Sequence, residues 1–307
     1  MSKSRSRIAW VGPASPMASL SHVESAKQLV ESQHPCDIIF GSDCYQPTSI
    51  AERSELFLEY ANDPSIDGLW AVRGGEGSAD IIASLLGKRQ QLQNLSHKWL
   101  MGFSDITALL FFMREHCQWR TIHGPCVNGF VSGQLEASTL RCVNGLLNQQ
   151  SHAVIWNDLE PINQSARHCQ TIKAPLFAGN LTMIGLGVKD CWELDMRNRI
   201  VVVEDVNEAP YAIVRGLKYL ARIGTFNSAV GLILGSFTQH QDTQSPIANQ
   251  DLTSSIKSLK TFAENCDCPV FLSSQIGHGV NNQPIPLGVM AQLDKVGDQT
   301  QLSYMLN

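Results

Sequence analysis

Short apolar runs alternate with longer amphipathic stretches through residues 1–132 of the chain. The apolar runs are typical of strands and lie at 7–11, 36–40, 66–72 and 98–103. The stretches after them have helical spacing and lie at 21–32, 49–62, 78–86 and 105–117. Because strands and helices that alternate in this way form a parallel sheet covered on both faces, residues 1–132 are predicted to form a doubly wound α/β domain.

The pattern changes after residue 132. Polar and irregular stretches dominate residues 133–173, which we interpret as a linker. Further on, apolar runs predict strands at 200–203, 229–234, 269–272, 288–293 and 301–306, and helical spacing recurs at 212–222 and 251–264. We therefore predict a smaller, mixed α/β domain over residues 174–307.

The composition is that of an ordinary globular protein, with 43% hydrophobic and 17% charged residues. The net charge is −5 and no stripe of lysine and arginine occurs, which argues against a nucleic-acid-binding protein. The apolar run at 8–11 is too short for a secretory signal, and no stretch is long enough to span a membrane. We expect a cytoplasmic protein that binds neither nucleic acid nor membrane.

The chain has nine cysteines at irregular spacings. A disulfide framework or a zinc site would have a more regular pattern, and the nearest approach to one is the sequence CDC at 266–268. We expect reduced, mostly structural thiols and no bound metal.

Ser104 lies in a sharp turn between a predicted strand and a predicted helix. Such a turn exposes a nucleophilic hydroxyl, and the backbone N–H groups that follow can stabilise an oxyanion. The nucleophile-elbow pattern G-x-S-x-G is incomplete because Ile106 occupies the position of its second glycine. A helix-capping serine, followed by Asp105 as a favourable charge at the helix start, explains the same residues.

A serine nucleophile needs a base within hydrogen-bond reach. Of the nine histidines, His278 is the best placed, since it lies between two glycines in a loop that follows a predicted strand. His123 follows a short apolar stretch and is a second candidate, and His240 is a weaker one. A structural role for the His278 loop remains an alternative.

The base needs in turn an acceptor that orients it, and the sequence IVVVEDVNE at 200–208 contains three carboxylates. Glu204 ends a fully apolar strand, so we expect it to be at least partly buried. A buried carboxylate needs a partner, and an imidazole N–H would suit it. Asp205 and Glu208 compete for this role, and Glu204 can also be purely structural.

A glycine-rich turn, RGGEGS at 73–78, opens a predicted helix after a predicted strand. Glycines allow close approach of the backbone, and a helix start can hold an anion. The spacing matches neither the P-loop nor the dinucleotide-binding pattern. A substrate carboxylate or an oxyanion therefore fits the turn as well as a phosphate does.

These segments together resemble the LD-carboxypeptidase (muramoyltetrapeptide carboxypeptidase) family of serine peptidases, which also contains microcin-immunity peptidases. The matching stretches are AVRGGEGS at 71–78, GFSDITAL at 102–109, HGP at 123–125, AGNL at 178–181, VEDVNEAPY at 203–211 and GHGVNNQPIPLG at 277–288. The resemblance implies a Rossmann-like N-terminal domain and a smaller C-terminal domain. It implies Ser104 as nucleophile, His278 as general base and Glu204 as its orienting carboxylate.

The resemblance also implies an oxyanion hole made by the backbone N–H groups of Gly75 and Asp105. Arg73, Ser78 and Asn180 are the candidate substrate-binding residues, the first two for a terminal carboxylate. The implied reaction releases the terminal D-alanine from murein tetrapeptide during peptidoglycan recycling, in a homodimer that needs no metal or organic cofactor.

Two departures from the family pattern concern the site. Glu76 stands where a tyrosine is common, and Ala178 replaces the first glycine of a usual G-G-N. Three alternatives stay open: a microcin-type, peptide-inactivating peptidase, a non-catalytic binder of cell-wall peptides, and an amidotransferase-like hydrolase with Cys126 as nucleophile.

Overall fold

The structure is a computed structural model that describes residues 5–238 and 252–306. His240 and the first residue of the predicted helix 251–264 lie outside the described residues. The described strands are β1 Ser6–Val11, β2 Cys36–Phe40, β3 Gly68–Ala71, β4 Trp99–Gly102, β5 Arg120–His123, β6 His152–Pro161, β7 Ile172–Asn180, β8 Ile200–Val206, β9 Gly231–Thr238, β10 Val270–Leu272, β11 Ile285–Pro286, β12 Val289–Val296 and β13 Gln299–Leu306.

The described helices follow the predicted ones wherever a prediction was made. They are α1 Leu20–Gln33, α2 Ile50–Asn62, α3 Ser78–Leu86, α4 Arg89–Gln93, α5 Thr107–Cys117, α6 Val127–Val131, α7 Ala137–Leu147, α8 Gln164–Arg167, α9 Leu181–Leu186, α10 Pro210–Arg222 and α11 Leu252–Ala263. None of these helices is long and apolar enough to cross a membrane.

The first sheet has the order β11-β5-β4-β3-β1-β2, and its strands β1 to β5 run parallel. Successive side chains of these strands point to opposite faces. Ala9 and Leu69 belong to a core formed with helices on one face, whereas Trp10 and Trp70 belong to a core that includes α1 on the other. The predicted doubly wound α/β fold is therefore confirmed, and its strands end together at one edge.

The second sheet closes into a barrel with the strand order β10-β6-β13-β12-β7-β8-β9. Its pairings are mixed, since β7, β8 and β9 run parallel whereas β12 and β13 run antiparallel. The prediction of a mixed α/β second unit is confirmed, but its closure into a barrel was not foreseen.

Residues 133–173, which we interpreted as a linker, contain α7, the ten-residue strand β6 and α8. The strand pairs with β13 and β10 and so belongs to the barrel. Along β6 the buried residues Val154 and Trp156 alternate with exposed ones. This alternation is the signature of a half-buried strand. The polar stretches that gave the segment its irregular appearance, at 148–152 and 163–165, lie at the two ends of β6.

The two sheets are joined directly. β11, from the C-terminal half of the chain, pairs antiparallel with β5 at the edge of the first sheet. The barrel strand β7 also approaches α5 closely, since the Asn180 backbone N–H donates to the Thr107 hydroxyl at 3.0 Å. An ion pair of Arg199 with Glu115, at 2.9 Å, adds a further link. The turn before α5 and the end of β8 thus face a common region.

Candidate active site

Ser104 lies two residues after the end of β4 and begins a short 3-10 turn, Ser104–Ile106, that leads into α5. Its φ of +63° lies in the left-handed region, where holding a residue with a side chain costs about 1–3 kcal/mol. The capping positions of the turn and of α5 are Phe103 and Ile106. The helix-capping interpretation of Ser104 is therefore wrong.

The glycine-rich turn lies against the Ser104 turn. A Cβ on Gly74 would lie 2.9 Å from Ser104 Cβ and 3.2 Å from Ser104 Oγ, so only glycine fits at position 74 without a shift. The two turns are also tied by Asp105, whose carboxylate accepts the Ser78 N–H at 2.8 Å. The Ser78 hydroxyl donates to the Asp105 carbonyl. Burial raises the pKa of the Asp105 carboxyl group.

Glu204 and His278 are in contact although 74 residues separate them. The distance between His278 Nδ1 and Glu204 Oε2 is 2.6 Å. Glu204 is 0% exposed and the His278 side chain is 9% exposed. Asp205, a competing carboxylate, instead accepts hydrogen bonds from Asn180 Nδ2 and from the backbone and hydroxyl of Thr182. Glu204 is thus the carboxylate that meets the imidazole.

The loop that carries His278 is fastened at both sides of that residue. Gly277 has a φ of +139°, and a Cβ there would overlap the Ser236 hydroxyl, so the position requires glycine. The Val280 carbonyl accepts the N–H of Glu136 at 2.8 Å. The Asn282 N–H donates to the hydroxyl of Thr139, on α7, at 3.2 Å. The segment before and within α7 therefore holds the histidine loop.

A cleft of about 660 Å³ contains the Ser104 turn, the glycine-rich turn and the histidine loop. Its walls include Arg73, Gly74, Gly75, Phe103, Ser104, Asn207, His278 and Asn282. Arg73 is exposed. Among the described residues that line the cleft, the ionisable side chains are those of Arg73, His278 and Cys126. The structure therefore brings a serine, a carboxylate-paired histidine and one cation into a single cavity.

Two family models match the chain. The LD-carboxypeptidase N-terminal domain matches residues 8–124, and the LD-carboxypeptidase C-terminal domain matches residues 173–293. The chain belongs to the LD-carboxypeptidase family. The resemblance drawn from the sequence motifs is thereby confirmed.

Relatives of this LD-carboxypeptidase family member include a Rickettsia conorii protein that carries the provisional name of carboxypeptidase. The two are 30% identical over 223 residues, a match that covers 73% of this chain and 66% of the relative. The murein tetrapeptide carboxypeptidase of Pseudomonas aeruginosa is 27% identical over 303 residues, which cover 94% of this chain and 93% of that one.

Solved structures share the fold. The muramoyltetrapeptide carboxypeptidase from Oxalobacter formigenes has a TM-score of 0.79 and 23% identity, and the match covers 97% of this chain and 98% of that one. An MccF-like protein from Bacillus anthracis has a TM-score of 0.82 and 17% identity, with 99% and 98% covered. At these identities the likeness concerns the fold alone.

Two of the expected substrate-binding residues do not reach the cleft. Ser78 is fully buried, and its N–H and hydroxyl are both engaged by Asp105. Asn180 is also buried, since its Oδ1 accepts the Met183 N–H at the start of α9 and its Nδ2 donates to Asp205. Both side chains hold local structure and are absent from the described lining of the cleft, so their role in substrate binding stays a prediction. The sequence could not show this, because the same residue types serve in caps and in binding sites.

Cys126 lies in the cleft wall, yet burial raises the pKa of its thiol to about 12. A thiol in that state is protonated at neutral pH, whereas a cysteine nucleophile reacts as the thiolate. The amidotransferase-like alternative therefore has no activated nucleophile at this position. All nine cysteines, each within the described part of the chain, are free.

His123, the second candidate for the base, is absent from the described lining of the cleft. It is fully buried, so it lies behind the cleft wall, and its ring meets the Phe103 ring edge-on at 6.1 Å. The Phe103 ring in turn lies 4.6 Å from the His278 ring. Burial lowers the pKa of His123 to about 4, which keeps its imidazole neutral at physiological pH.

Proposed function

We propose that this protein is a serine carboxypeptidase in which Ser104, His278 and Glu204 form the catalytic triad. The observation that carries the proposal is the 2.6 Å contact of His278 Nδ1 with the buried Glu204, combined with the position of His278 and Ser104 in one cleft. A nucleophile, a base and an acceptor that orients the base are the parts that acyl transfer by serine requires.

Glu204 determines which tautomer of His278 is present. A carboxylate oxygen at 2.6 Å from Nδ1 needs a hydrogen there, so the neutral imidazole carries its proton on Nδ1 and leaves Nε2 as acceptor. The same carboxylate stabilises the imidazolium once His278 has accepted a second proton. Because Glu204 is fully buried, solvent does not compete for it.

In the first half-reaction, His278 Nε2 accepts the proton of Ser104 while Ser104 Oγ bonds to the carbonyl carbon of the last peptide bond. The backbone N–H groups of Gly75 and Asp105 are the proposed donors to the oxyanion. The C–N bond then breaks, and His278 gives its proton to the departing amine. In the second half-reaction, His278 takes a proton from water while the water oxygen bonds to the acyl carbon. The bond between that carbon and Ser104 Oγ then breaks, and His278 returns the proton to Oγ.

Arg73 is the proposed partner of the terminal carboxylate that a carboxypeptidase must bind. It contributes the positive charge of the cleft, and a guanidinium binds a carboxylate in a charge-assisted, often bidentate, arrangement. The proposed substrate is murein tetrapeptide, as in the name of the Pseudomonas aeruginosa relative. The bond cut joins the L-centre of the diamino acid to the terminal D-alanine.

The proposal extends to the cellular role that the family resemblance implies, which is peptidoglycan recycling by a cytoplasmic homodimer. The oligomeric state is accessible to light scattering coupled to size-exclusion chromatography. A mass of about twice the 307-residue chain would support the dimer, and the mass of a single chain would exclude it.

The test of the reaction is release of D-alanine from murein tetrapeptide, followed by mass spectrometry, for wild type, Ser104→Ala and the surface control Ser32→Ala. We expect release by wild type and by Ser32→Ala, and a loss of about 10⁴-fold or more for Ser104→Ala. Equal release by all three would exclude the serine mechanism. Binding of the tetrapeptide without turnover would favour a non-catalytic binder, and turnover of other peptides alone would favour the microcin-type alternative.

A further inference from the structure

His123 occupies a defined position behind the proposed catalytic pair. It is the last residue of β5, in register with Gly102 at the end of β4. The Phe103 ring contacts both histidine rings, that of His123 at 6.1 Å and that of His278 at 4.6 Å. His123 therefore belongs to the layer that supports the catalytic residues.

Three polar atoms of His123 and Glu204 are buried and lack hydrogen-bond partners among the described residues. They are Nδ1 and Nε2 of His123 and Oε1 of Glu204. The other oxygen of Glu204 is the one that meets His278. An unsatisfied buried polar group destabilises the fold, and such groups are commonly bridged by ordered water. Protein contacts in the described residues thus hold the Glu204 carboxylate at one oxygen only.

The electrostatics of His123 agree with this position. Burial lowers the pKa of His123 to about 4. The charge of Glu204 acts to raise this pKa and that of His278 acts to lower it, so Glu204 and His278 both lie within electrostatic range of His123. A neutral imidazole has one N–H donor and one bare nitrogen. It can donate to a carboxylate without adding a positive charge that would compete with the His278 imidazolium.

We propose that His123 is a positioning residue for Glu204, whose free oxygen Oε1 it holds through one bound water. The ring N–H of His123 donates to the water, and the water donates to Oε1. With both oxygens held, the carboxylate cannot turn away from His278, and His278 continues to present Nε2 to Ser104. The inference rests on the proposed function, since it takes Glu204 as the carboxylate that orients the base.

Two substitutions at His123 distinguish the effect of losing the N–H donor from the effect of losing the ring. His123→Phe removes both nitrogens and keeps an aromatic ring against Phe103, whereas His123→Gln keeps an amide N–H donor. We expect kcat of His123→Phe to fall by about tenfold with KM nearly unchanged, because one hydrogen bond is lost and the substrate cleft is untouched. We expect His123→Gln to recover most of kcat.

A double-mutant cycle tests whether His123 acts through Glu204. In a Glu204→Gln background, His123→Phe should cause no further loss of kcat, since residues that act as a unit are not additive. Proton NMR provides a readout that needs no substrate. The proton on His278 Nδ1 gives a downfield resonance. This proton should exchange with solvent faster in His123→Phe than in wild type, and at the wild-type rate in His123→Gln.

Full kcat and an unchanged resonance in His123→Phe would overturn the proposal, and so would an equal loss of kcat in both backgrounds. Circular dichroism checks that the variants fold, and His123→Met replaces His123→Phe as the nitrogen-free variant should the ring be misplaced. Full activity of Glu204→Gln is a different result, because it would overturn the proposed triad itself.

Discussion

Glu204 and Asp205 are consecutive residues of β8, and their buried carboxylates hold different parts of the molecule. Glu204 Oε2 meets His278 Nδ1 at 2.6 Å, in the loop that follows β10. The Asp205 carboxylate accepts the Asn180 side chain at 2.8 Å and the Thr182 hydroxyl at 2.8 Å, at the start of α9. One carboxylate thus contacts the histidine, and its neighbour fastens a helix to the barrel.

Exchanging each of these carboxylates for its amide should separate the two roles. For Glu204→Gln we expect kcat to fall by about 10³–10⁴-fold, because the imidazole loses the acceptor that holds its tautomer. For Asp205→Asn we expect a loss of stability of about 1–3 kcal/mol and a much smaller change in kcat per folded molecule. Steady-state kinetics and thermal unfolding measure the two effects. The opposite pattern would assign the orienting role to Asp205.

Gly74 is expected to tolerate no side chain. In Gly74→Ala the new methyl group would lie 2.9 Å from Ser104 Cβ, so the Ser104 turn must shift. We expect kcat to fall by at least about tenfold, since small displacements of reacting groups carry large costs in rate. The control is Gly87→Ala, where an added Cβ meets no atom within 4 Å. Equal kcat values for the two variants would contradict the tight contact.

Arg73 is expected to recognise the terminal carboxylate of the substrate. A charge-assisted hydrogen bond contributes about 1.5–3 kcal/mol, so Arg73→Gln should lower kcat/KM by about 10- to 100-fold. The matched control is a second substrate, a tetrapeptide with a C-terminal carboxamide in place of the carboxylate. Wild type and Arg73→Gln should cleave it equally. An equal loss on both substrates would show that Arg73 acts on something other than the carboxylate.

His123 is expected to make folding stability depend on pH. Burial lowers its pKa from 6.5 to about 4, so the unfolded chain binds this proton more readily between those values. The stability that the neutral imidazole contributes is therefore complete above about pH 6.5 and is lost as the pH falls towards 4.

Urea unfolding of wild type and His123→Phe measures this contribution. Between pH 7 and pH 4.5, wild type should lose about 2–3 kcal/mol more than His123→Phe, in line with the difference between a pKa of 6.5 and one of about 4. The comparison between the two proteins removes the effect of other titrating groups, such as Asp43 and Asp105, whose pKa values burial raises. Parallel pH dependences would contradict the prediction.

The local pattern of apolar and polar residues was enough to predict the strands and helices whose buried positions recur at regular spacing. β1 to β4 and the helices between them were predicted from apolar runs and helical spacing, because their buried positions are close in sequence. The turn at Ser104 and the apolar strand that ends at Glu204 could be found in the same way. The family could be recognised because six short motifs occur in order along the chain.

Tertiary structure alone decided which of the candidate residues meet. The contact between Glu204 and His278 joins residues 74 positions apart, and the local pattern left Asp205 and Glu208 as competitors of Glu204. The sequence likewise could not show that Ser78 is buried against Asp105, that Asn180 caps α9, or that β6 closes a barrel. These outcomes depend on packing between distant segments, since burial and hydrogen-bond partners are properties of the folded chain, whereas period and turn chemistry can be read within a short window of sequence.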